Sequence, residues 1–222
     1  MMMTSQALLA SPSPTTRLRA DSPKSHRTRA RILNAAMALL AEQGYADATN
    51  ASIAERANLT RGAMLYHFPT REALIEAAIA HIQRARTALF TRAASERPPE
   101  TDSVDYAIDT YWRLLREPPF VAFAELEGAA RTDEWLREAI APAQAAFDRA
   151  QMGDAMGPLI QAGAGPRLQA SRDLARFLLE GLSRATLADD ADGRSARLLA
   201  VVKRATHLLN RKGVAQDLWP DA

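Results

Sequence analysis

The residues best suited to chemistry stand in one short run, Thr60-Arg61-Gly62-Ala63, followed by Tyr66, His67 and Arg71. A threonine hydroxyl and the free backbone N–H groups of a helix start can hold a phosphate oxygen. An arginine in the first turn carries a planar fork that matches the O6 and N7 edge of guanine. Glycine and alanine beside it would let the backbone lie close to base edges, and such small residues on an exposed helix start have little use in packing. Thr49 and Ser52, one short segment earlier, offer further hydroxyls for phosphate. The suggested chemistry is recognition of a polyanion, with phosphates positioning and base edges specifying.

Other chemistries find less support. The chain has no cysteine, which excludes disulfide frameworks, thiolate nucleophiles and Cys-rich zinc sites. No G-x-S-x-G, phosphate-cradling Gly-Lys loop or H-E-x-x-H occurs, and Gly163-Ala164-Gly165-Pro166 follows no strand pattern. The four histidines, at positions 26, 67, 81 and 207, form no metal-binding spacing. The expectation is a protein that is not an enzyme, with no catalytic residue, no metal and no cofactor.

Charge agrees with a polyanion partner at one end. The net charge is only +2, but residues 1–86 hold eleven Lys/Arg against six Asp/Glu, or +5, and the rest hold seventeen against twenty, or −3. Arg17, Arg19, Lys24, Arg27, Arg29 and Arg31 form a basic run ahead of the motif, which could lie along a nucleic-acid backbone or simply be solvated.

The elements that must position these residues are helices. Ile32, Ala35, Ala36, Leu39 and Leu40 recur at helical intervals between Arg27 and Glu42, and Gly44 is placed to end that helix. Thr49 can cap a second, short helix through Ala57, with Ile53, Ala54 and Ala57 inward. Asn58-Leu59-Thr60 makes a tight connection, Thr60 caps a third helix from Arg61 to Phe68, and Thr70 caps a long fourth from Arg71 to about Ala94. Segments 102–117, 119–130, 133–152, 171–188 and 195–211 also read as helices, so the predicted fold is all-α. Two short helices joined by a tight turn and braced by a longer one have the layout of a helix-turn-helix.

The run IAERANLTRGAMLYHFPTREALIEA, residues 53–77, resembles the DNA-binding signature of TetR/AcrR-family regulators. Ala57, Thr60, Arg61, Gly62, Ala63, His67, Phe68 and Arg71 stand where that pattern puts them. Asn58 replaces the usual turn glycine, and Leu65 stands where the family most often has a tyrosine, with Tyr66 one step later. The resemblance implies that helix 27–43 braces the motif, that Thr60, Arg61 and the 61–67 helix face DNA, and that Arg71 binds phosphate. His67 is read either as a DNA contact or as a structural histidine, and Phe68 as core.

The remaining chain completes a three-part division: a disordered tail over 1–26, a DNA-binding domain over 27–86, and a helical effector-binding and dimerisation domain over 87–222. Leu174, Phe177, Leu178, Leu198, Leu199 and Val202 form apolar stripes suited to a dimer or to an intrachain core. Aromatic and methionine residues concentrate between 102 and 160, up to Met156, and Trp112, Phe120, Phe123, Trp135 and Phe147 are the candidate contacts of a small apolar or amphipathic effector. The predicted partners are a palindromic operator in double-stranded DNA, an effector and a second copy of the chain. With no secretory signal and no run of roughly 18 uncharged apolar residues, a cytoplasmic protein without membrane contact is expected. The competing reading is a helical small-molecule or protein-binding module whose helix-turn-helix is not used for sequence-specific DNA binding.

Overall fold

A computed structural model describes residues 22–152, 166–185 and 193–210. Among the described residues the structure is helical without strands, in the order α1 (Pro23–Asp47), α2 (Asn50–Arg56), α3 (Arg61–His67), α4 (Arg71–Ser95), α5 (Ser103–Leu114), α6 (Pro118–Ala129), α7 (Glu134–Met152), α8 (Pro166–Ala185) and α9 (Arg194–Asn210). None of these helices is long and apolar enough to cross a membrane.

Local chemistry sets the boundaries. Thr49, Thr60 and Thr70 each cap a helix by accepting the backbone N–H three residues on, at 3.2, 3.1 and 3.1 Å. Asp102 caps α5 through two such bonds, and Asp133 accepts from the Leu136 N–H at 2.9 Å. The first helix starts four residues before the predicted Arg27, inside the segment read as a disordered tail. Ser22 accepts from the Ser25 N–H, and Pro23 supplies a ring with helical φ where no N–H is needed. Pro166 likewise opens α8 ahead of the predicted residue 171. The remainder of the tail, with Arg17 and Arg19, lies outside the described residues, as does Met156.

Two positions turn the chain. Gly44 has φ 82° and ψ 177°, a positive-φ extended conformation open essentially to glycine, and it breaks α1 there. Asn58 lies between α2 and α3 at φ 51°, the left-handed conformation that asparagine tolerates in place of glycine.

Two apolar cores result. The first gathers Ile32, Ala36, Leu40, Ile53, Met64, Phe68, Leu74 and Ile75 from α1 to α4, and continues into Phe123, Leu126 and Leu136 of α6 and α7. The predicted domain break after residue 86 therefore falls within α4, and the helix-turn-helix shares its core with α6 and α7. The second core joins Phe90, Tyr111, Trp112, Phe120, Phe147, Leu179 and Val202.

Arg86 of α4 lies where the two cores meet, only 4% exposed. Its guanidinium carbon is 3.6 Å from the Phe147 ring centre, 4.0 Å from that of Phe123 and 5.1 Å from that of Phe120. Burial lowers its pKa to about 10, so the group remains a cation at neutral pH.

Candidate nucleic-acid interface

The short helix α3 is held by its inner face. Met64 and Phe68 are buried, and Arg29 of α1 reaches across to donate from Nη1 to the His67 carbonyl at 2.7 Å while its guanidinium lies 4.2 Å from the Phe68 ring centre. Sequence reasoning placed Arg29 in a basic run and missed this clamp. The available signal is its register: positions 29, 32, 33 and 36 share one helical face, so the side chain starts on the buried stripe.

Arg71, expected as a phosphate ligand, is hydrogen-bonded within the chain. Its Nη1 donates to the Ala48 carbonyl at 2.9 Å and its Nη2 to the Tyr45 carbonyl at 3.0 Å, with the guanidinium over the Tyr45 ring. These bonds satisfy carbonyls where α1 gives way to α2, so the half-buried Arg71 braces the motif from behind.

The outward face of α3 is unoccupied by comparison. Arg61 is exposed and has no hydrogen bond or ion pair among the described residues. A Cβ built on Gly62 would meet nothing within 4 Å. No neighbour among the described residues therefore requires a glycine there. Ala63 is half-buried, and Tyr66 is 74% exposed with its ring edge-on to His67 at 5.2 Å. His67 is half-buried, and its backbone carbonyl is the group that Arg29 holds.

Thr49 and Ser52 form a hydroxyl pair at the start of α2, with their oxygens 3.1 Å apart. Ser52 Oγ lies 3.0 Å from both the Asp47 and the Thr49 carbonyls, so its proton is committed and its remaining capacity is as an acceptor. Across the motif, Arg56 and Glu42 form an exposed ion pair between α2 and α1.

The second core contains a cavity of about 240 Å³ between α5, α8 and the end of α4, lined by Phe90, Ile108, Tyr111, Leu179 and others. The five aromatics expected to contact an effector are placed elsewhere. Phe120 and Phe123 line a smaller space of about 30 Å³ beside Arg86. Trp112 and Phe147 are buried core residues, and Trp135 packs on the first core. Helical spacing marks such residues as inward-facing but does not tell a filled interior from a cavity wall. Tyr111, which lines both spaces, donates its hydroxyl to Glu180 at 2.5 Å, and burial, reinforced by that carboxylate, holds its pKa well above the ordinary value.

Of the predicted dimer residues, Leu174, Phe177, Leu178 and Leu198 are exposed, at 45, 61, 49 and 40%. Val202 is instead buried in the second core, and Leu199 is half-buried against it. Val201, not predicted, is 62% exposed. The register of α9 is set by its packing on α5 and α8, and this turns Val201 rather than Val202 outward.

The family model for bacterial regulatory proteins of the tetR family matches residues 32–78, the segment from α1 through the first turns of α4. An uncharacterised HTH-type transcriptional regulator of Mycobacterium tuberculosis is 30% identical over 122 residues, covering 55% of this chain and 63% of that protein. The HTH-type transcriptional regulator CymR of Pseudomonas putida is 29% identical over 122 residues, covering 55% of this chain and 60% of that protein. The matched region thus spans less than two thirds of the length of these relatives. A solved TetR-family member of Streptomyces coelicolor superposes with a TM-score of 0.56, over 83% of this chain and 98% of that one at 21% identity, which establishes the shared fold. The family segment, the relatives and the all-helical architecture agree: residues 32–78 are similar to the DNA-binding segment of bacterial regulatory proteins of the tetR family, and the described helices share the fold of a solved member.

Proposed function

We propose that the protein is a DNA-binding transcriptional regulator, a repressor acting in the cytoplasm as a homodimer on a palindromic operator and released by a small apolar or amphipathic ligand. The observation that carries this reading is the contrast on α3: Arg61 is exposed and has no partner among the described residues, beside a glycine with open space around it, while Arg29 and Arg71 are consumed in bracing the same helix and the loop behind it. A free guanidinium beside open backbone suits a guanine edge in the major groove. Thr60, Ala63, Tyr66 and His67 would line the same approach, with Thr49 and Ser52 accepting from or ordering water on the flanking backbone. A single α3 reads few base pairs, and two copies on half-sites about 34–36 Å apart multiply the affinity. The exposed leucines and Phe177 of α8 supply a face on which two copies would meet.

The test is a footprint on the DNA flanking the gene, followed by binding titrations at several salt concentrations. Protection of a two-fold symmetric site with affinity well above that for random DNA is the expected result. Equal, strongly salt-dependent affinity for all sequences would indicate non-specific binding. No binding at low salt would favour a helical module whose motif is not used.

A further inference from the structure

Among the described residues around the 240 Å³ cavity, Tyr111, Asp148, Arg176 and Thr206 have hydrogen-bond partners, while one cation has none. Arg176 of α8 donates to Asp148 at 2.5 Å and to Glu180 at 2.8 Å. Asp148 also accepts from Gln144 at 3.0 Å, and the Thr206 hydroxyl donates to the Val202 carbonyl at 2.8 Å. Arg172, one turn before Arg176 on the same face of α8, lines the cavity with no hydrogen bond or ion pair among the described residues, and its Nε is buried without an acceptor. A desolvated donor without an acceptor is costly, and a partner that supplies one is correspondingly favoured. Asp173 also lines the cavity, but no oxygen of its carboxylate is buried without a partner, so it loses no hydration that a ligand amine would need to replace.

We infer that the cavity binds a small apolar monocarboxylate, its hydrocarbon body among Phe90, Ile108 and Leu179 and its carboxylate on the guanidinium of Arg172. The inference rests on the effector reading above and narrows it to a chemical class. The planar fork of an arginine accommodates a carboxylate through two parallel hydrogen bonds, whereas an alcohol offers one acceptor and an amine repels the cation. The volume is below the range of about 300–1,000 Å³ typical of drug-sized sites, so the occupant is small, one ring with a short chain.

Calorimetric titration of the full chain, free of DNA, with 4-phenylbutyrate, 4-phenylbutanol and 4-phenylbutylamine isolates the head group on a constant body. The carboxylate is expected to bind about ten-fold or more tightly than the alcohol, and the amine more weakly than either. Arg172→Gln should abolish the carboxylate's advantage and leave the alcohol's affinity within about two-fold, as a lost ionic contact at a half-exposed position should. Ala107→Phe, which fills the cavity, should abolish binding of all three, and circular dichroism of both variants checks that they fold. A tightest-binding amine, a carboxylate preference that survives in Arg172→Gln, undiminished binding in folded Ala107→Phe, or no binding of any of the three overturns the inference. Because DNA is absent, failure of the regulator reading would appear only in the operator titrations and would leave these affinities unchanged.

Discussion

α3 and α8 both present side chains that the described residues leave uncovered, but of opposite character. On α3 the uncovered groups are Arg61, Gly62 and Tyr66, a cation and a phenol beside open backbone. On α8 they are Leu174, Phe177 and Leu178, an apolar strip that water solvates poorly. Polar groups with unused hydrogen-bonding capacity suit a partially hydrated, charged partner, whereas an apolar strip favours a surface that excludes water. The two helices also differ in support. α3 is a two-turn element positioned by Phe68 and the Arg29 clamp, while α8 is anchored by Leu179 and Ala175 in the second core.

The largest effect should come from removing what positions α3. Phe68→Ala empties a buried site in the first core and should cost about 3–5 kcal/mol of stability. Chemical denaturation should show this loss, and DNA binding should fall with it. A fully stable Phe68→Ala protein would mean that α3 is positioned by something other than its buried face.

Next in size, Phe177→Asp places a charge on the exposed strip of α8 and should weaken self-association by on the order of 2 kcal/mol or more. Folding should be preserved, because the side chain is 61% exposed in the single chain. Sedimentation read against concentration checks the first point and circular dichroism the second. Unchanged association would move the contact surface away from α8.

A third pair of variants separates the arginines of the motif. Arg61→Ala should weaken binding to the operator by about 1–3 kcal/mol and relax preference at one base per half-site, with no change in melting temperature. Arg71→Ala should lower stability by about 1–3 kcal/mol, since it removes a cation bonded to two carbonyls. Its affinity for all DNA should fall together. If Arg71→Ala leaves stability unchanged while reducing DNA affinity, the side chain exchanges its carbonyls for a phosphate in the complex.

The smallest expected effect concerns pH. His81 of α4 is half-buried with its Nε2 2.7 Å from Asn34 Oδ1 of α1, an oxygen to which the ring N–H donates. Burial, with a further contribution from Arg84, lowers its pKa below the ordinary 6.5. The unfolded chain therefore takes up a proton before the folded one does. The stability tied to this histidine is complete above about pH 6.5 and falls as acid carries the solution down through the lowered value. Melting temperatures at pH 7.5 and 5.5 should differ less in His81→Gln than in the parent, and an identical difference would remove His81 as a contributor.

Some features were legible because they depend on neighbours in sequence. A threonine hydroxyl accepting from the third N–H onward is a local bond, so Thr49, Thr60 and Thr70 marked the starts of α2, α3 and α4. The apolar spacing of α1 to α4 identified the inward faces, including Ile32, Ile53 and Phe68. What each arginine does was not legible in the same way. Arg29, Arg61, Arg71 and Arg86 carry the same group, yet one clamps α3, one has no partner among the described residues, one braces the loop after α1 and one is enclosed by three phenylalanines.

The sequence by itself determined the helical fold, the helix-turn-helix and the exposed first turn of α3, because periodicity, capping and turn residues act over one or two helical turns. Only the tertiary structure decided which cations are spent within the chain, that Val201 rather than Val202 faces outward, and that the cavity is walled by Phe90 and Ile108 rather than by Trp112 and Phe147. Each of these depends on the angle and register at which distant helices meet, and a rotation of one residue, about 100° around a helix, exchanges a buried side chain for an exposed one.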